Sequence, residues 1–522
     1  MTRTRFHFFL EYVYHSRVRN CRSLVKSSSL FILLAVASAV IAAGQASNEN
    51  SQGNNADARI NRIVTGLLPA AIIKGQPPPT MILKDRMNHY RVPGVSIAFF
   101  DRGQIAWARA YGLADIATNE PVTPDTLFQA ASVSKSVTAL AALRLVQEGK
   151  LNLDEDVNLK LKSWKVPDNE FTKIEKVTLR RLLSHTAGLT VGGLAGYKPG
   201  EPLPTTVQIL NGEKPANNEA VRIDKTPGKE FQYSGGGYVV IQLLLMDVTG
   251  KSFPALMHDL VLAPLGMTHS TFEEPLPKNL WQSAAQSYDV KKEPIQGGWF
   301  TYPAMAPAGL WTTPSDLAHF AIEIENAYAG QSKLLSSALA HQMLAYQSEE
   351  IYGLGVALGA RGHPLRFWHS GANSGYRCVF EGYPDINQGL AIMTNGDGGV
   401  PLALEIQRAA AQEYGWPDGR AEEHTLAKID PASLPAYTGV YLFNGLFKFT
   451  ITQKNGKLYV QYDVFGKDPQ ELLPESATRF FLISEPFVID FQKEADGSIK
   501  KANARNGPQN VAGEKISEAP LQ

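Results

Sequence analysis

The sequence predicts a mixed α/β (α+β) domain followed by a small all-β domain. Strand-like runs occur at residues 95–101 and, much later in the chain, at Tyr376–Tyr383 and 389–394, with helix-like and loop segments between them. Strands on both sides of a helical region indicate one sheet built from distant parts of the chain, with a helical insertion. The chain has 522 residues, which is too long for a single compact core, so we expect at least two domains.

The first 46 residues are predicted to be a secretory signal peptide. A basic stretch comes first, then a nearly continuous apolar run over residues 30–43, and then small residues up to Ala46. This is the order of a cleavable export signal. The apolar run is shorter than the roughly 20 residues that span a bilayer, and an uncleaved anchor stays open as the alternative. We therefore expect a periplasmic or secreted protein with no stable membrane span after signal removal, and a flexible start over residues 47–59.

The charge balance and the cysteines limit the kinds of partner. Lys plus Arg and Asp plus Glu each number 50, so the chain has no basic excess of the kind that binds nucleic acid. Because Cys21 is removed with the predicted signal peptide, Cys378 has no partner for an internal disulfide. The sequence also has no CxxC motif, the pattern that would indicate a cysteine metal site. We expect no nucleic acid as a partner, while the sequence leaves the oligomeric state open.

A hairpin and one buried helix are the clearest elements of the first domain. Residues 95–101 and 105–111 flank the turn Asp101-Arg102-Gly103, which predicts a β-hairpin. Residues 133–146 are apolar over much of their surface, and Gly149 follows them. This pattern predicts a largely buried helix that stops at a glycine.

The end of the chain has the pattern of an independent all-β domain. Residues 417–428 are polar and are predicted to be a linker, so the first domain is assigned to residues 60–416. Alternating apolar residues then flank the turn signals Asn455-Gly456 and Asp496-Gly497. Residues 429–522 are therefore predicted to form a small β-barrel or β-sandwich domain.

A serine and a lysine stand three residues apart at the start of the predicted buried helix. At helical spacing Ser132 and Lys135 share one face. In a dry site desolvation favours the uncharged amine, which can accept the serine proton. The same spacing occurs twice more, in the signal and in a turn of the C-terminal domain, but neither opens a buried helix. For Ser134, a second hydroxyl in the site and a helix-surface serine both stay open.

Further landmarks accompany this motif in a fixed order. They are Phe128-Gln-Ala-Ala-Ser-Val-Ser-Lys135, Thr178-Leu-Arg-Arg-Leu-Leu-Ser-His185-Thr-Ala-Gly188, Pro227-Gly-Lys-Glu-Phe-Gln-Tyr233-Ser-Gly-Gly-Gly-Tyr238, Pro264-Leu-Gly-Met267, Ala308-Gly-Leu-Trp-Thr-Thr-Pro-Ser-Asp316 and His369-Ser-Gly371. Together they resemble the class C β-lactamases and their relatives, which include D,D-peptidases, D-aminopeptidases and esterases. The resemblance covers roughly residues 60–415. It implies a β-lactamase-like antiparallel sheet flanked by helices, with a helical subdomain.

The resemblance also implies a role for each matching residue. Ser132 attacks a carbonyl and forms an acyl-enzyme, while Lys135 and Tyr233 carry out the proton transfers. His369 lies across the cleft and binds a substrate carboxylate or steadies the Tyr233 hydroxyl. The backbone N–H groups of Ser132 and Ala372 form the oxyanion hole.

The remaining matches concern substrate binding and structure. Gly235, Ser370 and Gly371 are expected to contact substrate, and His185 is a landmark of the fold. No metal or cofactor is required. The family's tyrosine motif is usually Tyr-x-Asn, and Gly235 at its third position removes a contact to the lysine and to a β-lactam side chain. The chain also has histidine at position 369, where β-lactamases of the family carry lysine. Both departures argue against an efficient β-lactamase.

The sequence favours a hydrolase of amide bonds in small, unusual peptides, such as those that carry D-residues or are linearised from rings. A carboxylesterase, or a weak β-lactamase or D,D-carboxypeptidase of the same family, is the first alternative. A catalytically silent relative that binds or scaffolds is the second. In the first two cases the partner is a small-molecule or peptide substrate.

Overall fold

The computed structural model describes residues 56–445, 447–462, 468–506 and 509–517. The predicted signal peptide, residues 1–46, and residues 47–55 of the predicted flexible start lie outside the described residues. The described residues from Arg59 onward form one compact unit. The predicted fold class is confirmed, since an antiparallel sheet flanked by helices is followed by a closed eight-stranded barrel.

A seven-stranded antiparallel sheet lies at the centre of the first domain. The strands before the barrel are β1 (Ala71–Ile73), β2 (Gly94–Asp101), β3 (Gln104–Asp115), β4 (Glu120–Pro121), β5 (Phe128–Gln129), β6 (Trp311–Thr312), β7 (Ala357–Leu358), β8 (Phe367–Asn373), β9 (Tyr376–Tyr383), β10 (Gln388–Thr394) and β11 (Glu422–His424). The sheet has the order β4-β3-β2-β10-β9-β8-β7. Because β2 pairs with β10, strands from the two ends of the domain meet in the middle, as predicted.

Helices cover both faces of this sheet. They are α1 (residues 56–65), α2 (Leu83–His89), α3 (Ser134–Gln147), α4 (Leu179–Leu183), α5 (Thr206–Asn211), α6 (Gly235–Thr249), α7 (Phe253–Met257), α8 (Met305–Ala308), α9 (Pro314–Tyr328), α10 (Ser337–Met343) and α11 (Gly399–Tyr414). Along β2, Ala98 and Phe100 belong to the core around α3, while Ile97 and Phe99 belong to the core under α11. The alternation follows from the two-residue period of a strand, so β2 is buried on both faces.

The predicted hairpin and buried helix are both confirmed. Strands β2 and β3 pair across the turn at Arg102 and Gly103. Helix α3 is buried over nearly its whole length, from Ser134 to Leu145. No single helix among the described residues is long and apolar enough to cross a membrane, and only the bent pair Gly235–Thr249 and Phe253–Leu262 passes that test on combined length and composition.

The C-terminal barrel closes on itself. Its strands are β12 (Gly439–Phe443), β13 (Phe447–Lys454), β14 (Lys457–Gln461), β15 (Gln470–Pro474), β16 (Arg479–Phe481), β17 (Phe487–Lys493), β18 (Ile499–Asn506) and β19 (Gln509–Ser517). Closure comes from the pairing of β12 with β19. Asn455 and Gly456 have φ of 52° and 72°, the left-handed values that the tight turn between β13 and β14 requires.

Two segments expected to lack regular structure contain it. Residues 56–59 of the predicted flexible start belong to α1, because Ile60 and Ile63 recur at helical spacing and are buried against the sheet. The predicted linker, residues 417–428, contains β11, which pairs in parallel with β1. Glu422 in β11 forms an ion pair with Arg505 of the barrel at 2.7 Å, a long-range contact that the polar composition did not reveal.

Candidate active site

The chain takes a strained conformation immediately before Ser132. Residues Ala131–Val133 form a 3-10 turn that leads into α3, and Ala131 has φ of 48°, a left-handed value that costs a non-glycine residue energy. The carbonyl of the preceding residue, Ala130, accepts a hydrogen bond from the Cys378 thiol at 2.9 Å. The buried thiol on β9 thus holds the backbone that presents Ser132.

Lys135 lies one turn after Ser132 and is almost completely buried, with 2% of its surface exposed. Its Nζ lies 2.9 Å from Ser132 Oγ and 3.0 Å from the Pro307 carbonyl oxygen. Burial lowers the pKa of Lys135, and the neighbouring Tyr233 hydroxyl opposes that shift in part. Burial therefore makes the neutral amine more accessible than in an exposed lysine, and the neutral amine can take the serine proton.

Tyr233 precedes α6 and lies over the lysine. The Lys135 Nζ is 5.0 Å from the centroid of the Tyr233 ring. The next backbone N–H, that of Ser234, donates to Nδ1 of His185 at 3.0 Å, and the His185 ring lies 4.2 Å from the Tyr233 ring. Burial first, and the electrostatic interaction with Lys135 second, lower the pKa of His185 well below its usual value. His185 is therefore neutral, and its contacts with the Ser234 N–H and the Tyr233 ring hold Tyr233 in place.

His369 on β8 has both ring nitrogens engaged. Nδ1 lies 2.7 Å from the Ser370 carbonyl oxygen, so it must carry the proton and donate. Nε2 therefore accepts, and the Tyr352 hydroxyl lies 3.1 Å from it. Burial, with the nearby Lys135, lowers the pKa of His369 to about 3, so the ring is neutral. The Tyr233 ring is 6.4 Å away, and neither imidazole nitrogen is free to steady its hydroxyl.

Strand β8 forms the wall of the cleft opposite Ser132. At Gly371 a Cβ atom would lie 2.1 Å from the Ala130 carbonyl oxygen, so only glycine allows the strand to approach this closely. Ser132 and Ala372 line the same cavity, as the predicted oxyanion hole requires, and Ser370 and Gly371 line it as well.

Two other predicted positions lie beside the cleft. Gly235 is the first residue of α6 and is not among the described residues that line the cavity. A Cβ there would lie 3.1 Å from the Gly192 carbonyl oxygen, which leaves little space for a larger side chain. Ser134 points away from the chemistry, because its Oγ accepts a buried hydrogen bond from the Leu310 N–H at 3.0 Å. Ser134 is therefore a buried structural residue, and it is neither a second hydroxyl in the site nor a serine on the helix surface.

The cavity in front of Ser132 has a volume of about 370 Å³. Several residues that line it were not predicted from the sequence, notably Phe231, Glu350, Tyr352 and Trp368. Phe231 could have been found because it belongs to the same motif as Tyr233. The other three carry no local signal, since the fold alone brings them to the cleft. A serine beside a buried lysine of lowered pKa, near a tyrosine and facing a strand that contains glycine, can attack a carbonyl and hold the resulting acyl group.

The chain belongs to the β-lactamase family, because the family model described as "Beta-lactamase" matches residues 81–414, well over half of the chain. Fold and site together define a member with the constellation of a serine hydrolase. A second family model, described as a domain of unknown function, matches residues 423–515, which cover the barrel except for the last two residues of β19.

Two relatives illustrate the range of similarity. Protein flp of Staphylococcus aureus strain N315 is 29% identical over 239 residues, which are 45% of this chain and 44% of that protein. The chain thus matches less than half the length of this relative. Penicillin-binding protein 4* of Bacillus subtilis strain 168 is 25% identical over 418 residues, covering 76% of this chain and 89% of that protein.

Solved structures share the fold at low sequence identity. The octameric penicillin-binding protein homologue from Pyrococcus abyssi is 23% identical, with a TM-score of 0.57 over 82% of this chain and 98% of that one. D-amino acid amidase from Ochrobactrum anthropi SV3, complexed with L-phenylalanine, is 22% identical, with a TM-score of 0.52 over 63% of this chain and 95% of that one. EstCE1, a hydrolase with promiscuous acyltransferase activity, is 23% identical, with a TM-score of 0.52 over 63% of this chain and 96% of that one.

Proposed function

We propose that this chain hydrolyses an amide bond in a small, unusual peptide, such as one with a D-residue or one linearised from a ring, through an acyl-enzyme on Ser132. The observation that carries the proposal is the 2.9 Å contact between Ser132 Oγ and the Nζ of buried Lys135. Lys135 takes the serine proton as Oγ attacks the carbonyl carbon. The same proton then passes, through Lys135 and Tyr233, to the departing amine, and a water molecule later cleaves the ester of Ser132.

Two features of the cleft support an amide substrate of limited size. An amine is a poor leaving group unless it is protonated, and Lys135 and Tyr233 together provide a route for that proton. The cavity of about 370 Å³ suits a short substrate better than a polymer. A silent binding protein has no use for a lysine buried at the cost of its charge, so we rank that alternative last.

The second candidate is a carboxylesterase for small acyl esters. The observation that favours it is the largely apolar lining, which includes Phe231, Ile351 and Trp368 and offers few groups for a peptide backbone. An efficient β-lactamase is disfavoured by Gly235, where the space for the usual asparagine is restricted.

The experiment that tests the proposal combines labelling with a substrate comparison. A fluorophosphonate should modify the protein at Ser132, as located by peptide mass spectrometry. D-amino-acid amides, p-nitrophenyl esters and nitrocefin are then compared at equal enzyme concentration. Turnover of the amides supports the first candidate, turnover of the esters alone supports the second, and absence of both label and turnover contradicts both.

We also propose that the chain is exported to the periplasm or secreted, from the basic and apolar order of residues 1–46. The mature N-terminus of protein recovered from the cell envelope or medium tests this proposal. A protein that stays in the cytoplasm contradicts export, and an exported protein that retains residue 1 supports the uncleaved anchor instead.

Replacing Tyr352 by phenylalanine is expected to lower kcat/KM by about two- to tenfold. The change removes the hydroxyl that donates to His369 Nε2, and one hydrogen bond contributes about 0.5–1.5 kcal/mol net. The expected signature is spectroscopic as well: in ¹⁵N-NMR of labelled histidine both proteins should keep the Nδ1–H tautomer that the Ser370 carbonyl fixes, while the Nε2 resonance should shift in the variant because it loses its hydrogen bond.

Tyr346→Phe is the matched control. Its hydroxyl donates to the Gly359 carbonyl at 3.0 Å, and it is not among the described residues that line the cavity. It should lower the melting temperature while leaving kcat/KM and the His369 signal unchanged. Equal effects of the two substitutions on kcat/KM would show that Tyr352 acts only through stability.

A further inference from the structure

The charge in the cavity in front of Ser132 is one-sided. Its walls are mostly apolar or aromatic, from residues such as Phe231, Ile351, Tyr352 and Trp368. Among the described residues that line it, the acidic side chain is that of Glu350, and the basic one is that of His369. The electrostatic character of the site therefore depends on whether His369 can carry charge or donate to a substrate.

His369 can do neither. Its Nδ1–H is taken by the Ser370 carbonyl, and its Nε2 accepts from the Tyr352 hydroxyl. The ring therefore presents no free N–H to a substrate carboxylate. It is also neutral, since burial and Lys135 keep its pKa at about 3.

The basic side chains of Lys135, Arg366 and Arg361 already have partners of their own. Lys135 is buried against Ser132 and the Pro307 carbonyl. Arg366 forms an ion pair with Glu381 at 2.7 Å on the sheet. Arg361 donates to the Ser348 carbonyl and lies 4.1 Å over the Tyr346 ring. Glu350 is exposed to solvent at the cavity wall, and no ion pair to it is formed by the described residues.

We propose that this site accepts uncharged and cationic acyl donors and discriminates against those that carry a carboxylate, and that Glu350 sets this preference. The inference rests on the proposed acyl-enzyme chemistry at Ser132 and names its substrate class: esters or amides with an apolar body and, preferably, an ammonium group. A carboxylate brought into the cavity would lose water and meet Glu350, and the described residues that line the cavity offer it no charged cation as a partner. An ammonium group in the same place gains a partner.

Two series of esters test the preference, with the charge placed in either half of the substrate. In the first, p-nitrophenyl esters of phenylacetic acid carry a para carboxylate, carboxamide or trimethylammonium group. In the second, butyrate esters of phenols carry the same three groups. The value of kcat/KM is measured for the full-length wild type and for Glu350→Gln, Glu350→Lys and Glu349→Lys, at low and high salt.

The wild type should prefer the trimethylammonium ester to the carboxylate ester by about tenfold in at least one series, equivalent to about 1.4 kcal/mol. Glu350→Gln should bring that ratio close to one, and Glu350→Lys should invert it. Glu349→Lys changes the net charge equally on the adjacent residue, which is not among the described residues lining the cavity, and should leave most of the ratio intact. Salt should weaken the preference, as it does for partly exposed charges.

The failures are distinguishable. If the carboxamide esters are hydrolysed but the ratio is near one, or is the same in wild type and Glu350→Lys, the inference is overturned while the chemistry at Ser132 stands. If no ester is hydrolysed and no label forms at Ser132, the proposed function fails and the inference falls with it.

Discussion

Ser132→Ala is expected to lower kcat/KM by a factor of about 10⁴ or more, because the variant has no oxygen with which to form the acyl-enzyme. The fold should be kept. The Ser132 hydroxyl contacts Lys135 at the edge of the cavity, and its loss leaves the Lys135 contact to the Pro307 carbonyl in place. The measurements are kcat/KM on the best substrate, fluorophosphonate labelling and the melting temperature.

Ser134→Ala is the control for this substitution. Ser134 lies two residues further along the same helix, and its hydroxyl accepts the buried Leu310 N–H. Leaving that N–H without a partner costs about 1–3 kcal/mol, so the melting temperature should fall while turnover by the folded protein persists. Turnover of Ser132→Ala near that of the wild type would refute the assignment of the nucleophile, and a loss of labelling in Ser134→Ala would shift attention to that residue.

The parts of the site that follow from local geometry could be predicted from the sequence. Ser132 and Lys135 are three residues apart at a helix start, so helical spacing alone brings their side chains together. Tyr233 and His369 were placed through ordered motifs that resemble a known family. In each case the signal lies within a few neighbouring residues, and the sheet then brings the motifs to one cleft.

The parts that depend on long-range contacts could not be predicted. Tyr352 lies in a segment without helical or strand periodicity, and it reaches His369 only because β7 and β8 pair behind it. Cys378 belongs to the run Tyr376–Tyr383 that the sequence predicts as a strand, yet the contact of its thiol with the Ala130 carbonyl depends on how β9 lies against the 3-10 turn. Likewise, β11 is a strand only because β1, from the other end of the domain, offers it an edge.

His369 shows how a residue can be found correctly while its chemistry is still open. The family resemblance offers two roles, binding a carboxylate or steadying the Tyr233 hydroxyl. Both need a free ring nitrogen, and the structure engages the two nitrogens with the Ser370 carbonyl and the Tyr352 hydroxyl. The hydrogen-bond partners, which the sequence does not encode locally, decide what the ring presents to a substrate.

Lys135→Met is expected to lower kcat/KM nearly as far as Ser132→Ala, because the two residues act as one unit and their losses are not additive. Methionine keeps a long apolar stem but cannot accept the serine proton. In the wild type, activity should rise with pH through the lowered pKa of Lys135, because the neutral amine is the proton acceptor. The variant should show no such rise in its residual activity.

The same substitution should change how stability depends on pH. The Lys135 amine has its ordinary pKa of 10.5 in the unfolded chain and a lower pKa in the folded protein, so between the two values the unfolded state binds more protons. In that window the free energy of unfolding of the wild type rises with pH, by up to about 1.4 kcal/mol per pH unit, and below the folded pKa the dependence vanishes. Lys135→Met lacks this group, so the wild type should gain stability relative to the variant as pH increases.

The free energy of unfolding of wild type and of Lys135→Met is measured by urea unfolding at several pH values from about 6 to about 10, all below the ordinary pKa of lysine. Lys173→Met is the control. Lys173 is exposed, so its removal changes the net charge equally without removing a buried amine. The difference between wild type and Lys173→Met should be flat with pH, while that between wild type and Lys135→Met should rise. A flat difference for both variants would mean that Lys135 stays protonated in the folded protein, and a different group would then have to take the proton of Ser132.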